Sequence, residues 1–139
     1  ATTDLGAAAM IMWRRDCGFV PVVDTVTKKV VGAITDRDIC MAVTTKGRRA
    51  SEIRVGDVIS GSAYTCSSSD PVRKALDLMR EKRVRRLPVL DAQGEITGIL
   101  SLNDVVRHAR TGRGKAGPGV EPEEIVETYQ AICEHLQPA

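Results

Sequence analysis

Two stretches of the chain set a glycine, a hydroxyl residue and a carboxylate at one spacing: Gly32-x-x-Thr35-x-x-Asp38 and Gly98-x-x-Ser101-x-x-Asp104. Thr or Ser with an acid three residues on is the pattern of a helix N-terminal capping box. The same geometry can also do chemistry on a ligand. A helix N-terminus offers unpaired N–H groups and positive potential to a phosphate, and the hydroxyl adds a donor. An aspartate one turn in can accept hydrogen bonds from both hydroxyls of a ribose. Glycine lets a ligand approach the backbone. One occurrence does not separate capping from binding.

The elements that must position these residues occur twice. Val20-Pro21-Val22-Val23-Asp24 matches Leu87-Pro88-Val89-Leu90-Asp91 at an offset of 67, and the segment Val31 to Asp38 matches Thr97 to Asp104 at 66. Ala8 and Met12 align with Ala75 and Met79. The one-residue slip falls between Thr25–Lys29 and Ala92–Glu95, in turns, where a deletion costs little. In the second copy, Ala63–Ser67 reads as a strand, and Asp70-Pro71 opens a helix to about Arg83 with Val72, Ala75, Leu76 and Met79 as its apolar stripe. Leu87–Leu90 and Glu95–Leu100 are strands joined by the turn Asp91-Ala92-Gln93-Gly94, and Ser101 opens a helix to about Arg110. The first copy follows with a helix Thr3–Arg15, strands Phe19–Val23 and Val30–Ile34, and a helix Asp36–Val43. Its leading strand has no room after Ala1, so the chain is expected to be a fragment or to receive that strand from elsewhere.

The organisation expected is a first repeat over 1–46, a connector over 47–61 and a second repeat over 62–110. A Gly- and Lys/Arg-rich flexible linker over 111–120 and an acidic C-terminal helix over 121–139 follow. Residues Val55 to Ile59 in the connector read as one helical turn. The last helix places acids at its positive end and lines one face with Ile125, Tyr129, Ile132 and Leu136, so it is expected to pack on the body of the protein or on a second protomer.

Paired Pro-Val-hydrophobic-Asp strands, each followed by Gly-h-h-[Thr/Ser]-x-x-Asp, resemble the tandem cystathionine-β-synthase (CBS) domain, or Bateman module, from about Ala1 to Ala109. The resemblance implies a fold of the α+β or α/β class: two pseudo-symmetric β-α-β-β-α repeats packed through their small sheets, followed here by the C-terminal helix. It also implies a regulatory module that binds AMP, ADP, ATP or S-adenosylmethionine in clefts between the repeats, with no further cofactor, and that forms homodimers through its helices. An effector protein is an implied partner. Carried over by position, Asp38 and Asp104 hold ribose, and Thr35 and Ser101 lie by the phosphate. Arg85 and Arg86, ahead of Leu87 and Pro88, are implied to reach the phosphates of the second copy's nucleotide, beside Asn103. Two guanidiniums favour a charged phosphate through charge-assisted bonds. The first copy carries Gly18-Phe19-Val20 there, with Arg37 as its nearest cation, and is expected to bind more weakly or to prefer a less charged adenosine ligand. Tyr64, Thr65 and Cys66 are implied to line the base pocket of the Asp38 site.

Composition agrees with a globular chain: 42% hydrophobic, 27% charged and only 3% aromatic. The net charge of +2 is a cancellation, since all 20 Lys and Arg precede residue 116, with 13 acids, and five glutamates follow it. The basic run Arg80-Glu81-Lys82-Arg83-Val84-Arg85-Arg86 reads first as a solvated helix end. A nucleic-acid patch is the lesser alternative, because no recognition helix or stacking platform accompanies it. Cys17, Cys40, Cys66 and Cys133 form no Cys-x-x-Cys pair and, with His108 and His135, make no metal-ligand spacing. They are read as reduced, mostly buried thiols of a cytoplasmic chain. No apolar run approaches the roughly 20 residues of a membrane span and no signal-peptide pattern opens the chain. With two histidines and no paired acids facing each other, no enzyme activity is expected; the other competing reading is a dimerisation module with empty sites, its helix faces around Met10, Met12, Leu76 and Met79 serving as core or interface.

Overall fold

The computed structural model describes residues 3–59, 61–109 and 119–134. The chain divides into two units, Ala1–Ala63 and Tyr64–Ala139.

In the first unit, α1 (Leu5–Arg15) is capped by Asp4, whose carboxylate accepts from the Ala7 amide at 2.8 Å. Helical spacing puts Leu5, Ala8 and Met12 on one buried face. Strands β1 (Phe19–Val23) and β2 (Val30–Thr35) form an antiparallel pair running from Phe19↔Thr35 to Val23↔Val30, with a bulge at Val22/Val23. α2 (Asp36–Lys46) then runs one turn beyond the expected Val43, because Lys46 is followed by Gly47, which ends the helix at φ +58°. Two short 3₁₀ turns, Ala50–Glu52 and Val55–Asp57, complete the unit. The Leu5 amide donates to the Ile53 carbonyl and the Val55 amide to that of Thr3, at 3.0 and 2.8 Å. Ile53 and Val55 are buried with Leu5, Met12, Val22, Ile34 and Ile39, so the connector supplies part of this repeat's core.

The second unit repeats the plan with β3 (Cys66–Ser67), α3 (Val72–Lys82), β4 (Arg86–Leu90), β5 (Ile96–Ser101) and α4 (Leu102–His108). β3 pairs parallel to β4 through Cys66↔Val89 and Ser67↔Leu90; the three residues before it, expected in the strand, lie outside the ladder. β4 and β5 are antiparallel with the bulge at the equivalent place, Val89/Leu90. Even the helix ends match, since α1 and α3 both stop at a left-handed non-glycine residue, Asp16 and Arg83, 67 positions apart. Ala75, Leu76 and Met79 are buried as expected, and so is Met12, whereas Met10 is exposed. α4 ends short of Arg110, which lies outside the described residues. Of the thiols, only Cys66 is buried; Cys40 is exposed.

The repeats differ beside their central strands. Among the described residues, β1 pairs only with β2. A cavity of about 160 Å³ is lined by Ala8, Ile11, Val20, Val22 and Ile34 among others. Their counterparts Ala75, Leu78, Leu87, Val89 and Leu100 pack with Cys66 of β3 in the second core.

The C-terminal segment answers where the acidic helix goes. α5 (Pro122–Cys133) packs on α3 and α4 within the second unit. Val120 and Ile125 join the core and Thr128 is wholly buried, its hydroxyl donating to the Glu124 carbonyl at 2.7 Å. The buried stripe is therefore Ile125 and Thr128, with Ile132 partly buried beside it; Tyr129, expected inside, is more than half exposed. Val120, expected to end a flexible linker, is part of the packed unit; residues 111–118, His135 and Leu136 lie outside the described residues. Arg73 clamps the helix, donating from Nε and Nη2 to the two Glu124 carboxylate oxygens at 2.8 and 3.1 Å and to the Gly119 carbonyl at 2.8 Å. Arg80 stands 3.7 Å from Glu127.

Candidate functional site

Both motifs form where a strand runs directly into a helix. Thr35 ends β2 with extended backbone (φ −113°, ψ 164°) and caps α2; Ser101 ends β5 (φ −111°, ψ 156°) and caps α4. The Asp38 amide donates to Thr35 Oγ1 at 3.1 Å, while the Thr35 amide and hydroxyl donate to Asp38 Oδ2 at 2.9 and 2.7 Å. The second motif reproduces every bond. The Asp104 amide donates to Ser101 Oγ at 3.2 Å, the Ser101 amide to Asp104 Oδ2 at 2.8 Å, and the Ser101 hydroxyl to that same oxygen. These are capping boxes, as the spacing allowed. They also orient the carboxylates, because each uses Oδ2 and leaves Oδ1 with no hydrogen bond among the described residues. The Ser101 hydroxyl, then the Ser101 amide, hold the Asp104 carboxyl below its ordinary range. It is thus an anion at neutral pH, with one oxygen in the cap and the other presentable to a diol.

The glycines of the motifs are not equivalent. A Cβ on buried Gly32 would stand 2.9 Å from Ile59 Cδ1, so a side chain there would have to move Ile59 within the first repeat. A Cβ on exposed Gly98 would meet nothing within 4 Å. Only the second glycine leaves open approach to the strand end.

Around Ser101, β4 brings up the arginines. Arg86 pairs with Ser101 across the ladder, and the Leu102 amide donates to the Arg85 carbonyl at 2.9 Å. Arg85 is exposed and Arg86 half-buried; Leu87 and Pro88 are buried, so their side chains belong to the core. Asn103 is exposed on the first turn of α4. Arg85, Arg86, Ser101, Asn103 and Asp104 thus share one end of the second unit.

In the first unit the corresponding backbone contacts recur: Phe19 pairs with Thr35, and the Asp36 amide donates to the Gly18 carbonyl at 3.3 Å. Arg37 and Asp38 are exposed on the first turn of α2. Sequence reasoning missed Asp36. Its carboxylate lies over Gly18, so close that a Cβ there would be 2.6 Å from Oδ2. The available signal was the repeat alignment itself, which sets Asp36 against Leu102 and Gly18 against Arg85.

Tyr64, Thr65 and Cys66 belong to the second unit. Cys66 is in its core, Sγ 3.9 Å from the Pro88 carbonyl, and burial pushes its thiol pKa up, so it stays a neutral thiol. Tyr64 is half-exposed with Lys82 Nζ 5.6 Å from its ring centroid, within cation–π range.

The sequence profile of the CBS domain matches residues 1–45 and 55–111, both repeats of the structure. The chain belongs to the CBS-domain family. Among curated relatives of this CBS pair, Hypoxic response protein 1 of Mycobacterium tuberculosis is 29% identical over 130 residues, covering 93% of this chain and 81% of its own length. An inosine-5'-monophosphate dehydrogenase of Methanocaldococcus jannaschii is 32% identical over 117 residues, covering 81% of this chain. The chain spans 39% and 22% of the length of the first two curated relatives it matches, the dehydrogenase being the second. Among solved structures, the CBS domain pair of protein MJ0100 in complex with 5'-methylthioadenosine and S-adenosyl-L-methionine superposes with a TM-score of 0.64 at 25% identity, covering 76% of this chain and 83% of that one. The fold is the α+β fold of such pairs.

Proposed function

We propose that this CBS pair is a regulatory sensor module that binds adenosine-containing ligands, AMP, ADP, ATP or S-adenosylmethionine, and acts on an attached or associated effector in the cytoplasm rather than as an enzyme. The observation that carries this reading is the duplicated cap: in both repeats a Thr or Ser fixes one oxygen of an aspartate and leaves the other for a ribose diol. The Ser101 repeat, with Arg85 and Arg86 at its strand end, suits a phosphorylated nucleotide. MJ0100, which is similar across both repeats, is solved with two adenosine derivatives. Ligand acts by population shift, stabilising the arrangement of the module that it binds best. Calorimetric titration with AMP, ADP, ATP and S-adenosylmethionine tests the reading, with micromolar or tighter binding of at least one expected. No heat and no thermal stabilisation with any of the four would overturn it.

A homodimer is the second element of the proposal, and it has its own observation. α1 exposes Met10 (49%) and Trp13 (84%), one helical turn apart, and α2 exposes Met41 (52%). Their counterparts in the second repeat are Asp77, Arg80 and Arg107, so these three positions are apolar only in the first. Exposed aromatic and methionine side chains of this kind mark association surfaces. Trp13→Glu is expected to turn a dimer into a folded monomer in light scattering, with its melting temperature no longer dependent on protein concentration. A dimer of unchanged stability in that variant would refute this interface.

A further inference from the structure

The first repeat pairs a side-chain-free position with a carboxylate where the second pairs an arginine with a leucine. In both, the amide of the first helical residue donates to the carbonyl one strand-start away: Asp36 to Gly18 and Leu102 to Arg85. The backbones at the two strand ends are therefore alike, and the side chains differ by a coupled exchange. Leu102 turns into the second core, leaving Arg85 exposed. Asp36 stays outside, with Oδ1 accepting from the Arg37 amide at 2.8 Å and Oδ2 lying in the space that any side chain at residue 18 would need. An arginine at residue 18, the position that supplies one in the other repeat, would have to displace the Asp36 carboxylate. With Arg37 counted, Gly18, Phe19, Asp36, Arg37 and Asp38 sum to one negative charge, whereas Arg85, Arg86, Leu102, Asn103 and Asp104 sum to one positive charge.

We infer that Asp36 and Gly18 make the Thr35/Asp38 site selective for an uncharged or cationic adenosine derivative, such as a thioether or sulfonium nucleoside, and that they exclude 5'-phosphates from it. This rests on the adenosine-binding reading above and gives that reading two ligand classes, one per repeat. Ribose recognition through Asp38 Oδ1 needs no phosphate, because the cap alone orients that carboxylate. A phosphate brought to the start of α2 would meet the Asp36 carboxylate on the way to the helix amides. Like charges a few ångströms apart near a protein surface disfavour binding by about tenfold or more.

The test isolates the first site in Asp104→Ala and titrates 5'-methylthioadenosine, S-adenosylmethionine and AMP calorimetrically. The two phosphate-free ligands are expected to bind at least tenfold more tightly than AMP, and AMP binding should strengthen as salt is raised from 50 to 300 mM, since screening relieves repulsion. Adding Asp36→Asn should raise AMP affinity about tenfold and leave 5'-methylthioadenosine within twofold. Rebuilding the second repeat's pair, with Gly18→Arg and Asp36→Leu together, should bring AMP to parity or better. AMP binding as tight as 5'-methylthioadenosine in Asp104→Ala, or equal responses of both to Asp36→Asn, would overturn the inference while leaving adenosine binding intact. Loss of all binding in Asp104→Ala, with binding retained by the unaltered chain, would overturn it too. No binding even to the unaltered chain refutes the adenosine reading and this inference together.

Discussion

Asp104→Ala should abolish nucleotide binding to the second repeat, with AMP affinity falling by about 100-fold or more. A carboxylate oxygen that accepts from ribose hydroxyls makes charge-assisted bonds worth about 1.5–3 kcal/mol each, and two of them account for a loss of that size. The same substitution strips the Ser101 amide and hydroxyl of their acceptor, so the helix cap is lost with the site. That loss should lower stability by roughly 0.5–2 kcal/mol. Asp104→Asn separates the two effects: its amide oxygen can still accept from Ser101, so stability should be largely kept while affinity falls by an intermediate amount. Calorimetry and thermal melting of both variants check this, and unimpaired AMP binding by Asp104→Ala would remove the second site from the proposal. The pH profile follows from the lowered carboxyl of Asp104. Because the folded state holds this pKa below the unfolded value, its contribution to stability is complete above the ordinary carboxylate range. It disappears only as pH falls through the lowered folded value.

The repeat plan was legible because its signals are local. Apolar spacing set α1 and α3, and Pro-Val strands bounded by turns set the two hairpins, with the offset of 67 reproduced in the paired left-handed helix ends Asp16 and Arg83. The capping spacing likewise marks Thr35, Asp38, Ser101 and Asp104, and all four take part in capping boxes. What could not be read is what depends on contacts far apart in sequence. Tyr129 and Thr128 both lie within reach of the stripe begun by Ile125, and only the direction from which α3 arrives buries Thr128 and exposes Tyr129. The motif spacing suggests open backbone at Gly32, yet Ile59, 27 residues on, lies there. The closure of Asp36 over Gly18 depends on a side-chain rotamer and on two segments meeting at a strand end, which spacing along one strand does not encode. Arg73 and Glu124, 51 residues apart, gave no sequence signal beyond opposite charge.

Ending the chain at Ala109 should destabilise the second repeat by roughly 3–6 kcal/mol, since fully burying an aliphatic side chain is worth about 1.5–3 kcal/mol and such a truncation uncovers the partners of at least two, Val120 and Ile125. Typical domains are stable by only about 5–15 kcal/mol in total, so the loss is enough to bring this unit near its unfolding midpoint. In the first repeat the corresponding cover is supplied by Ile53 and Val55 of the connector, so that unit should keep its melting behaviour. In denaturant titration the second unit of the truncated chain is expected to unfold at lower denaturant than in the full chain, with the first unit's transition unmoved. Ile125→Ala in the full chain should reproduce about 2–4 kcal/mol of the effect, which guards against an artefact of truncation. Acid should act at the same place by a different route. The Arg73 guanidinium holds the Glu124 carboxyl below its ordinary range, so the pair stabilises the docked helix above that range and ceases to do so as pH falls through the lowered value. Arg73→Ala should weaken this acid sensitivity of α5 without abolishing it, because the Glu121 amide still donates to the Glu124 carboxylate at 2.9 Å, and should leave the apolar docking of Val120 and Ile125 in place. If the truncated chain instead melted like the full one, the acidic helix would be an ornament on the second repeat, and the burial of Thr128 would have no energetic meaning.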